Sequence, residues 1–148
     1  MIAIGSDHGG YKLKEEIKRY LDEKEIKYKD CGTNSEERTD YPIYEKKVAE
    51  EIQKGECDSG ILICKSSCGM TVVANKYKGI RAAGISNEDV AKHAKENDNI
   101  NVITIGAEHV TTNEAICIIR NWLGAEFKGG RYQERLDMIE EIEQNNMK

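Results

Sequence analysis

Residues 60–69 read Gly-Ile-Leu-Ile-Cys-Lys-Ser-Ser-Cys-Gly, an apolar run that stops at Cys64 and gives way to a loop of small and polar residues. Being apolar at nearly every position, Gly60 to Cys64 fits a strand covered by helices on both faces. Outward from it, short apolar runs alternate with longer stretches of helical period, the mark of repeated βα units around a parallel sheet. On the amino-terminal side the pattern predicts a strand from Met1 to Ile4, a polar turn from Gly5 to Gly10, and a helix with Leu13, Ile17, Tyr20 and Leu21 on one face. A second strand follows around Ile26 to Cys31, then a helix from about Pro42 to Lys54, with Pro42 tolerated in its first turn. On the other side, strands are expected at Ile80 to Ile85 and Asn101 to Ile105, with Ser86 as cap of the helix between them. A helix from about Asn113 to Leu123 and a charged helix from Arg131 onward close the chain on either side of Gly129-Gly130. The last helix is too polar to be fully buried and is expected to extend toward a partner subunit.

At 148 residues the chain fits one domain, residues 1–148, able to bury a core without metal or disulfide help. A formal charge of −5 argues against a general nucleic-acid binder, which needs an excess of Lys and Arg over phosphates. The amino terminus lacks a signal-peptide pattern and no stretch approaches the ~20 apolar residues of a membrane span, so a cytoplasmic protein with no membrane or nucleic-acid partner is expected. The odd set of Cys31, Cys57, Cys64, Cys68 and Cys117 points to free thiols in a reducing compartment.

In a parallel sheet the functional loops lie at the carboxyl ends of the strands, in the crevice where strand order reverses. Three polar clusters are expected there: Asp7-His8-Gly9-Gly10 after the first strand, Lys65-Ser66-Ser67-Cys68-Gly69 after the third, and Asn97-Asp98-Asn99 before the fifth. Backbone N–H groups at a helix start attract anions and depress a nearby thiol's pKa, so Cys64 reads as a thiolate base or nucleophile; an inert core cysteine is the alternative. Cys64 and Cys68 lack the second ligand pair of a zinc site, so no metal is expected. Asp7-His8 before two glycines reads as a substrate-contacting turn or as a helix cap. Arg131 and Arg135, one turn apart, read as a phosphate fork or as a solvated helix face. His93 lies on a helix of mixed charge, and His109 follows the fifth strand and could face the same crevice.

Taken together, GSDHGG, ERTDYP, GILIC, VANK, GIRAA and the run WLGAEFKGGR followed by ER at 134–135 resemble ribose-5-phosphate isomerase type B and its relatives, the galactose-6-phosphate isomerase subunits. The resemblance spans the chain without gaps. It implies a Rossmann-like three-layer αβα sandwich with a five-stranded parallel sheet, a homodimer or tetramer with active sites shared between subunits, and aldose–ketose isomerisation through an enediol with no cofactor. It assigns Cys64 as the proton-transferring base, Met70 to the place where another branch has glutamate, and the loop Lys65 to Gly69, with Ser66, Ser67 and Gly69, to holding the enediolate. Asp7, His8 and Tyr41 would line the sugar pocket, and Arg131 and Arg135 would bind its phosphate.

Three positions depart from the family pattern. Lys65-Ser66-Ser67 replaces Gly-Thr-Gly, Asn97-Asp98-Asn99 replaces a His-Asn-Asp motif whose histidine opens the sugar ring, and Glu108 replaces an arginine. The expected function is therefore isomerisation of ribose 5-phosphate and ribulose 5-phosphate. A hexose 6-phosphate isomerase for allose or galactose 6-phosphate, or a non-catalytic sugar-phosphate binder, are the alternatives.

Overall fold

The computed structural model describes residues 1–40 and 42–147. Tyr41, expected in the sugar pocket, lies outside the described residues. Five parallel strands, β1 (Ile2–Ser6), β2 (Tyr28–Asp30), β3 (Ser59–Cys64), β4 (Ala82–Gly84) and β5 (Val102–Gly106), form one sheet in the order β2-β1-β3-β5-β4. Six helices connect and follow them: α1 (Tyr11–Glu23), α2 (Pro42–Gln53), α3 (Cys68–Ala74), α4 (Glu88–Asp98), α5 (Thr112–Gly124) and α6 (Arg131–Asn146), with a 3-10 turn at His8–Gly10 before α1.

Alternation along the strands sorts side chains into two layers. Ile61 and Ile63 of β3 join Ile2, Ile4, Ile103 and Ile105 under α1, α4 and α5, where Ile17, Leu21, Ala91, Ile118 and Trp122 are buried. Leu62 and Cys64 face the other way, toward Val48 and Ala49 of α2 and Met70 and Ala74 of α3. Helices on both faces are what the unbroken apolar run of β3 requires. Trp122 is fully buried, and its indole Nε1 donates to the Ile100 carbonyl at 3.0 Å, so its one polar atom is satisfied. Lys14 is also fully buried, and its ammonium donates to both Asp30 oxygens at 2.7 and 2.8 Å.

Local differences from the sequence reading have simple causes. β1 runs on to Ser6 because Gly5 and Ser6 still pair with Leu62 and Ile63 of β3. β4 is shorter than expected because, as an edge strand, it pairs only through Ala82–Gly84 with β5. The cap of α4 is Asn87, not Ser86: its side chain accepts from the Asp89 and Val90 amides at 2.7 and 3.3 Å.

Gly10 sets where α1 starts. A Cβ there would run into the Ile63 carbonyl of β3, so only glycine lets the turn lie this close to the sheet. Gly10→Ala is expected to lower stability by roughly 1–3 kcal/mol through overpacking, measured by urea unfolding. Gly124→Ala, whose Cβ meets nothing within 4 Å, is the control and should show no such loss.

Candidate active site

Strand order reverses between β1 and β3, and the crevice at their carboxyl ends is where a parallel sheet offers a site. Cys64 ends β3 there, 7% exposed. The chain then turns through Lys65, Ser66 and Ser67 into α3, and the Ser67 amide donates back to the Cys64 sulfur at 3.0 Å. The turn from β1 packs alongside: the Asp7 amide donates to the Ile63 carbonyl at 3.3 Å, and Asp7 Oδ1 accepts from the Gly10 amide at 3.1 Å. Asp7, 7% exposed, thus caps the 3-10 turn while standing beside Cys64. The Thr39 amide donates to His8 Nδ1 at 3.2 Å, so in this arrangement the imidazole proton sits on Nε2.

The third wall comes from β5. The Ala107 amide donates to the Cys64 carbonyl at 2.7 Å and the Glu108 amide to the Lys65 carbonyl at 3.1 Å. A Cβ on Gly106 would lie 2.9 Å from the Ser66 carbonyl carbon, so the end of β5 lies directly under the loop. Lys65 is exposed, and its stem lies across Gly9: a Cβ on Gly9 would be 2.6 Å from Lys65 Cγ. Ser66 is exposed, Ser67 and Gly69 are half-buried, and Met70 is fully buried.

Burial pushes the Cys64 thiol above its ordinary value; the Ser67 and Ser66 amides pull against the rise, and the Asp7 charge adds to it. This corrects the expectation of a depressed thiol. The amides are present, but desolvation at the end of a covered strand outweighs them. Ser67 itself has φ +74° and ψ −19°, a left-handed conformation that glycine adopts without strain. It stands where the resemblance expects glycine.

Glu45 is a site-neighbouring residue that sequence reading missed. It is fully buried in the first turn of α2, and neither carboxylate oxygen has a hydrogen-bond partner among the described residues. Burial, and then the Asp7 charge, raise its pKa to about 8. The only sequence signal was a carboxylate three and four residues before Val48 and Ala49, on the same helix face.

The structure brings Asp7, His8, Cys64, Ser66, Ser67 and Gly69 together. It does not bring Asn97, Asp98, Arg131 or Arg135 to them within one chain. A residue that precedes a parallel strand lies at that strand's amino end, so the end of α4 is on the opposite edge of the sheet, and the expected third cluster at the carboxyl ends is corrected. Asn97 is half-buried there and Asp98 exposed. The Lys128 amide donates to the Glu96 carbonyl at 3.0 Å, and Glu143 accepts from the Gly79 amide at 2.7 Å, which fixes α6 on that same edge. Arg131 and Arg135 are exposed, with guanidinium carbons 5.2 and 5.5 Å from the Tyr132 ring centre. His93 and His109 are exposed. Among the described residues no three His, Cys, Asp or Glu side chains are grouped to hold a metal ion.

A family model described as Ribose/Galactose Isomerase matches residues 2–139. The chain is 43% identical to ribose-5-phosphate isomerase B of Escherichia coli over 143 residues, covering 97% of this chain and 96% of that protein. The structure of Clostridium thermocellum ribose-5-phosphate isomerase B is similar with a TM-score of 0.95 at 44% identity, covering 97% of each chain. That of Mycoplasma genitalium ribose-5-phosphate isomerase B with bound ribulose-5-phosphate has a TM-score of 0.92 at 39% identity, covering 97% of this chain and 95% of that one.

Left-handed backbone costs a non-glycine residue about 1–2 kcal/mol, while a glycine loses about 0.5–1 kcal/mol more chain entropy on folding. Ser67→Gly is therefore expected to be neutral to slightly stabilising, by up to about 1.5 kcal/mol. Thermal unfolding of the two proteins checks it.

Proposed function

The chain belongs to the ribose/galactose isomerase family, and from that membership we propose that it interconverts ribose 5-phosphate and ribulose 5-phosphate. The observation that carries this reading is a match to ribose-5-phosphate isomerase B relatives over nearly the whole chain, together with Cys64 standing at the strand-order reversal near Asp7 and His8.

In the reaction we propose, Cys64 as thiolate removes the C2 proton of the open-chain aldose, leaving an enediolate, and returns that proton to C1. The electron pair of the broken C2–H bond forms the C1–C2 double bond, and charge moves onto O1. We assign stabilisation of that charge to the loop from Ser66 to Gly69, as a preorganised donor set of the kind that stabilises an oxyanion, with the Ser67 amide also holding the Cys64 sulfur. The Ser66 hydroxyl is suited to pass the hydroxyl proton from O2 to O1. The buried thiol is a strong base once ionised, which suits abstraction from a carbon acid. We assign sugar contacts to Asp7, Ser67, Gly69 and Tyr41. Ring opening, for which the family histidine is absent at Asn97, we assign to His8 through Nε2.

Within one chain Arg131 and Arg135 stand on the edge of the sheet opposite Cys64. We therefore read the protein as a homodimer in which α6 of one subunit, with Asn97 and Asp98 at the end of α4, completes the site of the other. Exposed Met138, Ile139 and Ile142 on α6, a helix with no buried residue, support an apolar contact there. We place the enzyme in the cytoplasm, in keeping with five free thiols, and read residues 1–148 as one domain.

Purified protein should form ribulose 5-phosphate from ribose 5-phosphate, and Cys64→Ala should lose about 10²–10⁴ of the rate, the usual worth of a positioned base. Faster turnover of allose 6-phosphate than of the pentose would give the hexose reading instead, and no turnover with retained binding would make the protein a binder. For the shared site, Cys64→Ala subunits mixed with subunits carrying Arg131→Ala and Arg135→Ala should regain activity in hybrid dimers, since one of the two sites then has both halves intact. Failure to complement while hybrids form would place each site within a single subunit.

A further inference from the structure

An ionised carboxylate buried without a partner is among the costliest arrangements in a protein, so Glu45 calls for a reason. Its place in the fold supplies one. Glu45, Val48 and Ala49 form the buried face of α2. Val48 lies against the sheet: its Cγ2 is 3.1 Å from where a Cβ on Gly5 would be, and its Cγ1 is 2.7 Å from the same point on Gly60. α2 starts at the carboxyl edge and runs back along the strands. One turn, about 5.4 Å, is between one and two residues of strand, so Glu45 comes over the end of β1, where Asp7 stands.

The titratable groups that interact with it are Asp7, from the turn after β1, which also acts on Cys64, and Tyr77 from beyond α3. Cys64 and Tyr77 belong to the layer packed on this face of α2, and Tyr77 also feels Glu45 and Glu50. Among the described residues burial and Asp7 are what act on Glu45, and both favour its neutral form.

We propose that Glu45 is a positioning residue of the isomerase site, acting through Asp7. As a neutral acid it leaves Asp7 the one negative charge behind Cys64. When its proton leaves to solvent, a second negative charge stands there, disfavouring both the Cys64 thiolate and the enediolate. The inference rests on the isomerase reading above and limits how far activity gains from alkaline pH. Because Glu45 ionises near 8 while the buried Cys64 is still gaining thiolate, the two changes offset each other and wild-type kcat/KM levels off above that pH. In Glu45→Gln kcat/KM keeps rising as Cys64 ionises, by about tenfold per pH unit.

The test compares each protein with itself across neutral to alkaline pH, using ribose 5-phosphate. A plateau in wild type above about pH 8 that becomes a continued rise in Glu45→Gln supports the proposal. The same profile in both, or a folded Glu45→Gln without turnover at any pH, overturns it. If Glu45→Gln does not fold, Glu45→Met, neutral and of similar size, carries the comparison. A second readout needs no turnover: the rate of Cys64 alkylation by iodoacetamide, with trypsin cleavage after Lys65 separating Cys64 from Cys68. Glu45→Gln should shift the alkylation profile to lower pH, and an unchanged profile overturns the proposal. Absence of ribose 5-phosphate turnover in wild type would defeat the isomerase reading alone, since the alkylation comparison still reports what Glu45 does to Cys64.

Discussion

Three main-chain contacts at one edge of the sheet hold the candidate site in shape. The Asp7 amide reaches the Ile63 carbonyl, the Ala107 amide reaches that of Cys64, and the Glu108 amide reaches that of Lys65. They tie two loops, the one after β1 and the one after β5, to the end of β3 and its own loop, and none uses a side chain. The loop Lys65-Ser66-Ser67 is therefore framed by its main chain, and the Ser67 amide reaches the Cys64 sulfur within that frame. What such contacts do demand is closeness, and that falls on Gly10 and Gly106, where a Cβ would strike the backbone of β3 or of its loop.

The layers follow from the same strand. Because β3 buries both faces, its alternation assigns Ile61 and Ile63 to one set of helices and Leu62 and Cys64 to the other. The Cys64 thiol thus shares its layer with α2 and α3, and α2 carries Glu45 on the same buried face as Val48 and Ala49. A helix that packs Val48 and Ala49 on the sheet has to put something at the preceding turn, and here that something is a carboxyl group.

How much of this was legible in the residues depends on the distance over which the physics acts. Strands and helices were readable because period and capping are local, and the miss at Ser86 was a shift of one residue to the better-placed Asn87. The Cys64 and Asp7 turns were readable because both follow strands that a parallel sheet must align. Asn97 and Asp98 were set at the wrong edge because polar character was weighed above chain direction. The thiol was misjudged because helix amides show in sequence, whereas desolvation belongs to the finished fold. For the same reason Glu45 looked like one more charge on a helix of mixed polarity.

A thiol that burial keeps protonated has a further consequence, for chemical durability. Peroxides and disulfides attack thiolates far faster than thiols, so a site holding Cys64 mostly as its thiol presents little of the vulnerable form between turnovers. Burial of Cys64, 7% exposed as a residue, narrows the approach of an oxidant still further. The exposed Cys68, four residues on, has no such cover, so oxidative wear on this loop falls first on a sulfur given no part in the proton transfer.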